Sequence, residues 1–305
     1  MNNKRRLFST LLCVAALTAG LFVSGCGSDK AGGIGSVVSS VVDGGSDEKA
    51  AAKLNTLIDA TNRFNGDNAT WGQNYADSLA KLKGGFQEGA IGRQPHYDTL
   101  KEALEQSKKE GSTFKEVDTE RDNVLNVLNE LVPTFKDLKA YDDSKAYMND
   151  GGAKGKELAA KYVAQVEKFD AAYAKFNDAL NKANTEQTKK QIEKLKKDGK
   201  KGYAAAMEST LRLTTLVENV EKAPRNADKQ AVEKELNEIQ TLLKSINNDR
   251  GEVLVNSYNS VVGSVRQVLN DANENNLNDM IENFNNYIES YNNTTPDQFD
   301  SKSSN

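Results

Sequence analysis

Histidine, cysteine and tryptophan are almost missing from this chain, which has one His, two Cys and one Trp in 305 residues. Zinc sites need imidazole or thiolate in sets, and a His-based triad or Cys nucleophile needs partners, so most metalloenzyme and cysteine-enzyme classes are set aside. Proline is scarce too, at four residues, and its scarcity leaves room for long uninterrupted helices. No window shows a sustained alternation of period two, so nothing points to a half-buried strand. What is present is a polar globular composition, 37% hydrophobic and 28% charged, with 7% aromatic side chains.

The opening segment carries Lys4, Arg5 and Arg6 and no acid, then an apolar run over residues 11–23, then Ser24, Gly25 and Cys26. That order is an n-region, an h-region and a processing site, and the apolar run is shorter than the ~20 residues a spanning helix needs. Val23-Ser24-Gly25-Cys26 looks like a bacterial lipobox, whose logic is acylation of the cysteine and cleavage just before it. The alternative is an ordinary secretory signal with an incidental cysteine. On the lipobox reading, residues 1–25 are a signal peptide and Cys26 becomes the lipidated N-terminus, bearing palmitate-type chains that hold the protein at a membrane surface. Cys13 leaves with the signal, so the mature chain has no second thiol for a disulfide. Three bases and no acid leave as well, and 37 basic against 44 acidic side chains remain, a net charge of -7. Such a body is a poor partner for nucleic acid. The expected location is the cell envelope, lipid-anchored outside the cytoplasm. Gly27 after the lipid cysteine points to the outer membrane, facing the periplasm, in a cell with two membranes.

Residues 26–46 are rich in Gly and Ser and have no helical period, so they read as a flexible tether. From Asp47 the apolar residues recur at three and four. Leu54, Leu57, Ile58, Thr61 and Phe64 make one stripe and Leu79, Leu82 and Phe86 a shorter second, read as two amphipathic helices ahead of a glycine loop over residues 84–95. Val117 to Leu138 form a helical stripe that Pro133 should kink or reset. Leu158, Tyr162, Val166, Phe169, Tyr173, Phe176 and Leu180 form a heptad-like seam. That seam is expected to pass Gly199 and Gly202 as one continuous or slightly bent helix up to Pro224. Further stripes run from Val232 to Ile246, Leu254 to Leu269 and Leu277 to Tyr291. The fold class is all-α, an elongated bundle of amphipathic helices over residues 47–292, with 293–305 a disordered tail.

Several of these segments together resemble the YiiG-like bacterial lipoproteins, the family of domain of unknown function 3829. They are Phe135-Lys136-Asp137-Leu138 leading into Tyr141-Asp142-Asp143, then Lys154 to Leu158, Gly202-Tyr203-Ala204-Ala205-Ala206-Met207, and the closing run from Met280 to Tyr287. The resemblance implies a helical, envelope-anchored protein and supplies no catalytic residue.

Four patterns suggest chemistry and each has a plainer account. Asp118, Glu120 and Asp122 stand at calcium-loop spacing, but Asn123 takes the place of the turn glycine and Asn129 that of the bidentate acid. Gly151, Gly152, Gly155 and Lys156 approach a phosphate loop, yet the spacing is one residue short and no strand precedes it. His96 has no second histidine, so a surface or helix-entry role is the expectation. Lys189 to Lys201 form a basic run, of which Lys196, Lys197, Lys200 and Lys201 are the candidate partner contact; a solvated helix face is the alternative. Tyr162, Tyr173, Tyr203, Tyr258, Tyr287 and Tyr291 are expected in the core. No cofactor, metal or catalytic residue is expected. The function expected is a non-enzymatic binding or scaffold module contacting the membrane through Cys26 and an envelope protein or anionic glycan through the lysines. The opposing readings are an apolar-ligand carrier or an envelope hydrolase.

Overall fold

The structure, a computed structural model, describes residues 46–301 apart from 93, 112 and 113. The signal segment 1–25, Cys26 and the tether up to residue 45 lie outside the described residues. The described chain is all-α, as the three-four stripes require, with ten helices and no strand among the described residues. They are α1 (Ser46–Lys83), α2 (Tyr97–Lys109), α3 (Lys115–Asp143), α4 (Tyr147–Asp150), α5 (Ala153–Lys197), α6 (Lys201–Lys222), α7 (Lys229–Lys244), α8 (Asp249–Asn270), α9 (Glu274–Asn292) and α10 (Pro296–Phe299). These helices gather into two compact units, residues 46–183 and 184–301, with α5 contributing to both.

In the first unit α1 packs on α2 and α2 on α3. The two stripes expected as separate helices are corrected to one, α1, which ends at Lys83 ahead of Phe86: no proline interrupts residues 46–83 and its interior glycines cost only about 1 kcal/mol each. Pro133 lies inside α3 without ending it. The seam of α5 is buried from Tyr162 to Leu180 and meets Leu54, Ile58 and Phe64 of α1, Leu100 and Leu104 of α2 and Val124 and Leu128 of α3 in one core. The glycine loop is clipped back onto α1, where the Ser78 hydroxyl donates to the Ala90 carbonyl at 2.6 Å and accepts from the Gly92 amide at 2.9 Å.

In the second unit α6, α7, α8 and α9 pack each on the next, and α9 returns to α6. Leu213, Val217, Leu236, Ile239, Leu254, Val261, Val265 and Phe284 fill the interior. Asp228, Asn248 and Asn273 cap α7, α8 and α9, each side-chain oxygen accepting backbone N–H groups that the helix start leaves unpaired. All six tyrosines expected in the core are buried.

Two further expectations are corrected. The seam does not continue through Gly199. Lys200 N–H donates to the Leu195 carbonyl and Gly199 N–H to that of Lys196, with Gly199 at φ +80°, a Schellman ending that terminates α5. Glycine takes this left-handed turn without the steric cost other residues meet, and that local preference outweighs the apolar register on either side. A straight helix would also set Lys196 and Glu208 about 18 Å apart, whereas they pair at 2.9 Å, so the chain turns here. Nor does order stop at Asn292: α10 follows, with Phe299 only 2% exposed. One aromatic side chain in a short polar segment shows no period, and its burial depends on residues some hundred positions away.

Candidate functional site

The break between α5 and α6 concentrates the basic run. Lys196 and Lys197 end one helix, Lys200 and Lys201 begin the next, and all four are exposed. The structure therefore brings the sequence-predicted contact residues together at one corner of the second unit. Lys196 is held by Glu193 at 3.3 Å and Glu208 at 2.9 Å, and these carboxylates raise its pKa. Lys200 reaches Asp297 at 3.5 Å. Lys197 and Lys201 make no ion pair among the described residues.

The segment 294–301 lies against this corner. Asp300 accepts from the Gly202 amide at 2.6 Å and the Tyr203 amide at 3.4 Å, satisfying N–H groups at the start of α6 with a carboxylate where the helix dipole favours one. The Phe299 ring stacks between Tyr203 and Tyr291, with centroids at 5.9 and 6.0 Å. A Cβ on Gly202 would stand 2.1 Å from the Phe299 carbonyl oxygen, so only glycine admits the segment this closely. Asn248 donates from Nδ2 to the carbonyls of Gln298, Phe299 and Ser301 at 3.0 to 3.1 Å while Oδ1 caps α8. The sequence displays the Gly-Tyr pair and the asparagine, but nothing local links them to the tail.

A second cluster lies inside the first unit, and sequence reasoning missed it. Tyr75 from α1 and Tyr97 from α2 join hydroxyls at 2.9 Å; the Tyr162 hydroxyl meets them and donates to Gln94 Oε1. Burial raises the pKa of all three phenols. Asp170 adds to that rise, and its own carboxyl is pushed up to about 6, mainly by burial and in part by Glu167, against the opposing charge of Lys83. The signal available was an acid directly after Phe169, at the edge of the seam. The three phenols are buried together, and Asp170, half-buried beside them, acts on each electrostatically.

Asp170 makes a pH prediction. Its native pKa lies above the usual carboxylate value of 3.8, so the charged form is disfavoured by folding, and stability is lost as pH rises from about 4 through 6. Asp170→Asn is expected to stabilise the protein by on the order of 2 kcal/mol at about pH 7.5 and to have little effect at about pH 4. Thermal melts at the two pH values check it; an equal effect at both would mean that Asp170 ionisation is not the cause.

The remaining sequence patterns resolve into structure. Asp118 and Asp122 lie in the first turns of α3 and pair with the buried Arg121 at 2.7 and 3.0 Å, and Asp122 also with Lys108 at 2.9 Å. These partners draw the Asp122 pKa down. At the glycine-rich turn before α5 the carboxylate present is the chain's own: Asp150 accepts from the Gly152 and Lys154 amides and from the Tyr141 hydroxyl. Gly155 faces the Phe86 and Tyr141 rings, which a Cβ would meet at 2.6 Å, so this glycine serves packing. His96 is exposed at the N-cap of α2 and makes no side-chain cap bond.

No helix of the described residues is long and apolar enough to cross a membrane. Among them no group of three or more His, Cys, Asp or Glu could hold a metal ion. No curated protein and no solved structure matches the chain. The family described as "Protein of unknown function (DUF3829)" matches residues 48–283, which takes in most of both helical units, and the chain belongs to that family.

Proposed function

We propose that this protein is a lipid-anchored component of the bacterial cell envelope whose helical body is a non-enzymatic binding or scaffold module. The observation that carries the reading is Val23-Ser24-Gly25-Cys26 directly after a basic n-region and a short apolar run. Several acyl chains at ~0.8 kcal/mol per buried methylene make such an anchor effectively permanent. The Gly-Ser tether of about 20 residues then spaces the body on the order of 25 Å from the bilayer. Gly27 favours the outer membrane, periplasmic side, where two membranes exist. In the body, the cluster of Lys196, Lys197, Lys200 and Lys201 on an otherwise acidic protein supports contact with an envelope protein or anionic glycan.

Cells expressing Cys26→Ser and grown with a clickable fatty acid test the anchor. The unmodified protein is expected to carry the label and sediment with membranes, and the variant to lose the label and leave the membrane fraction. Label retained by the Cys26→Ser variant would overturn the reading.

A further inference from the structure

From the way segment 294–301 is seated we infer that the second unit carries a docking site for an acidic peptide with an aromatic residue followed by a carboxylate, and that the chain's own tail occupies it as an autoinhibitory strap. The inference deepens the proposed partner contact and rests on that reading for the partner's origin.

The seat has the parts of a peptide-recognition site. Tyr203 and Tyr291 form an aromatic slot for one ring. The α6 N-terminus supplies two N–H groups to the following carboxylate. Asn248 Nδ2, with two N–H donors shared among the main-chain carbonyls of Gln298, Phe299 and Ser301, fixes the register of the bound segment without regard to side chains. Gly202 lets the backbone approach where any side chain would block it. The strap that fills this seat contains Asp297 and Asp300 and no base, and Asp297 pairs with Lys200, whose neighbours in the chain are Lys196, Lys197 and Lys201, with Glu193, Asp198 and Glu208 as the nearby acids, of which Glu193 and Glu208 hold Lys196. Charge complementarity therefore selects an acidic ligand, and two of the four lysines, Lys197 and Lys201, keep their charge available while the strap is in place.

The strap nevertheless keeps most of its side chains out of the interior. Within 294–301 only Thr294 and Phe299 are buried, and Asp297 is 91% exposed. Withdrawing Phe299 and Asp300 would free the slot and the α6 amides together. A tethered segment competes at an effective concentration of order mM, so a partner peptide enters only when it binds better or when the strap is weakened.

The test uses the full chain in detergent and a fluorescein-labelled peptide of sequence Thr-Thr-Pro-Asp-Gln-Phe-Asp-Ser, read by anisotropy. The double variant Phe299→Ala with Asp300→Asn is expected to bind the peptide about tenfold or more tightly than the unmodified chain. Replacing the peptide's Phe or its second Asp with Ala should remove binding. Adding Lys197→Gln and Lys201→Gln to the double variant should weaken it several-fold and flatten its salt dependence. A double variant with unchanged helicity that does not bind, or an unmodified chain that binds equally well, overturns the inference. Should the double variant fail to fold, hydrogen exchange of the unmodified chain decides. Strap amides and the Gly202 amide exchanging at least tenfold faster than the α8 and α9 core support a strap that opens on its own, and equal rates overturn it. A dimer that disappears on Phe299→Ala would seat a second copy's tail instead and also overturn it. Peptide binding and Cys26 acylation are read separately, so failure of one leaves the other standing.

Discussion

Phe169→Ala is expected to destabilise the protein by about 4 kcal/mol, with a fall of roughly 10 °C in melting temperature. The ring of Phe169 sits where α1, α2 and α5 meet. It packs edge-on against Phe64 at 5.8 Å and Tyr97 at 4.9 Å and stacks on Tyr173 at 5.2 Å. Truncation forfeits the transfer of a buried aromatic side chain, leaves a cavity among rings that cannot collapse independently, and removes three aromatic contacts. The neighbouring polar network should loosen with it, because Tyr97 and Tyr173 are the residues that carry hydroxyls to Tyr75 and Asn65. Phe169→Leu keeps most of the volume and is expected to cost less than half as much. Circular dichroism melts of the two variants check the ordering. Equal losses would mean that ring geometry at this junction contributes little.

The second large effect opposes what helix propensity says. Gly251 and Gly263 both lie in α8, and alanine in a helix interior gains about 1 kcal/mol over glycine when nothing else changes. Gly263 is exposed, with nothing within 4 Å of where its Cβ would be, so Gly263→Ala is expected to stabilise by up to about 1 kcal/mol. At Gly251 a Cβ would stand 2.1 Å from the Ile246 carbonyl oxygen and 2.8 Å from the Ile246 Cβ. Backbone cannot swing aside as a side chain does. The turn between α7 and α8 would have to shift, and with it Asn248, which both caps α8 and holds the strap. Gly251→Ala is therefore expected to destabilise by about 3 kcal/mol or more and to speed amide exchange in segment 294–301. Opposite signs for the two substitutions in urea unfolding would establish the contact as the cause; a stabilised Gly251→Ala would refute it.

Most of the secondary structure was legible in the residues because its causes are local. Apolar residues at three and four, few prolines and glycine clusters between stripes act over distances shorter than a turn or two, so the helical class, the loop before α2 and the seam of α5 could be read directly. The calcium-like and phosphate-like patterns are incomplete in spacing, and in the structure Asp118 and Asp122 pair with Arg121 while Asp150 accepts from the amides ahead of α5.

The lysine corner illustrates the boundary. Its four residues were visible as a run, but the sequence read the helix as continuous, since Tyr203 resumes the apolar register after Leu195. A single glycine at positive φ decided otherwise. Segregation of the helices into two units, the gathering of Tyr75, Tyr97, Tyr162 and Asp170, and the docking of Phe299 and Asp300 on Gly202 and Tyr203 came only with the tertiary structure. Each of these joins residues tens to about a hundred positions apart, and the chain carries no local periodicity that encodes such pairings. By itself the sequence determined the helices, their polar and apolar faces and an acidic balance, because those follow from side-chain chemistry and the 3.6-residue turn. Which faces meet, which carboxyl is driven up by burial and where the tail comes to rest were decided by close packing among distant segments, and packing is a property of the assembled chain.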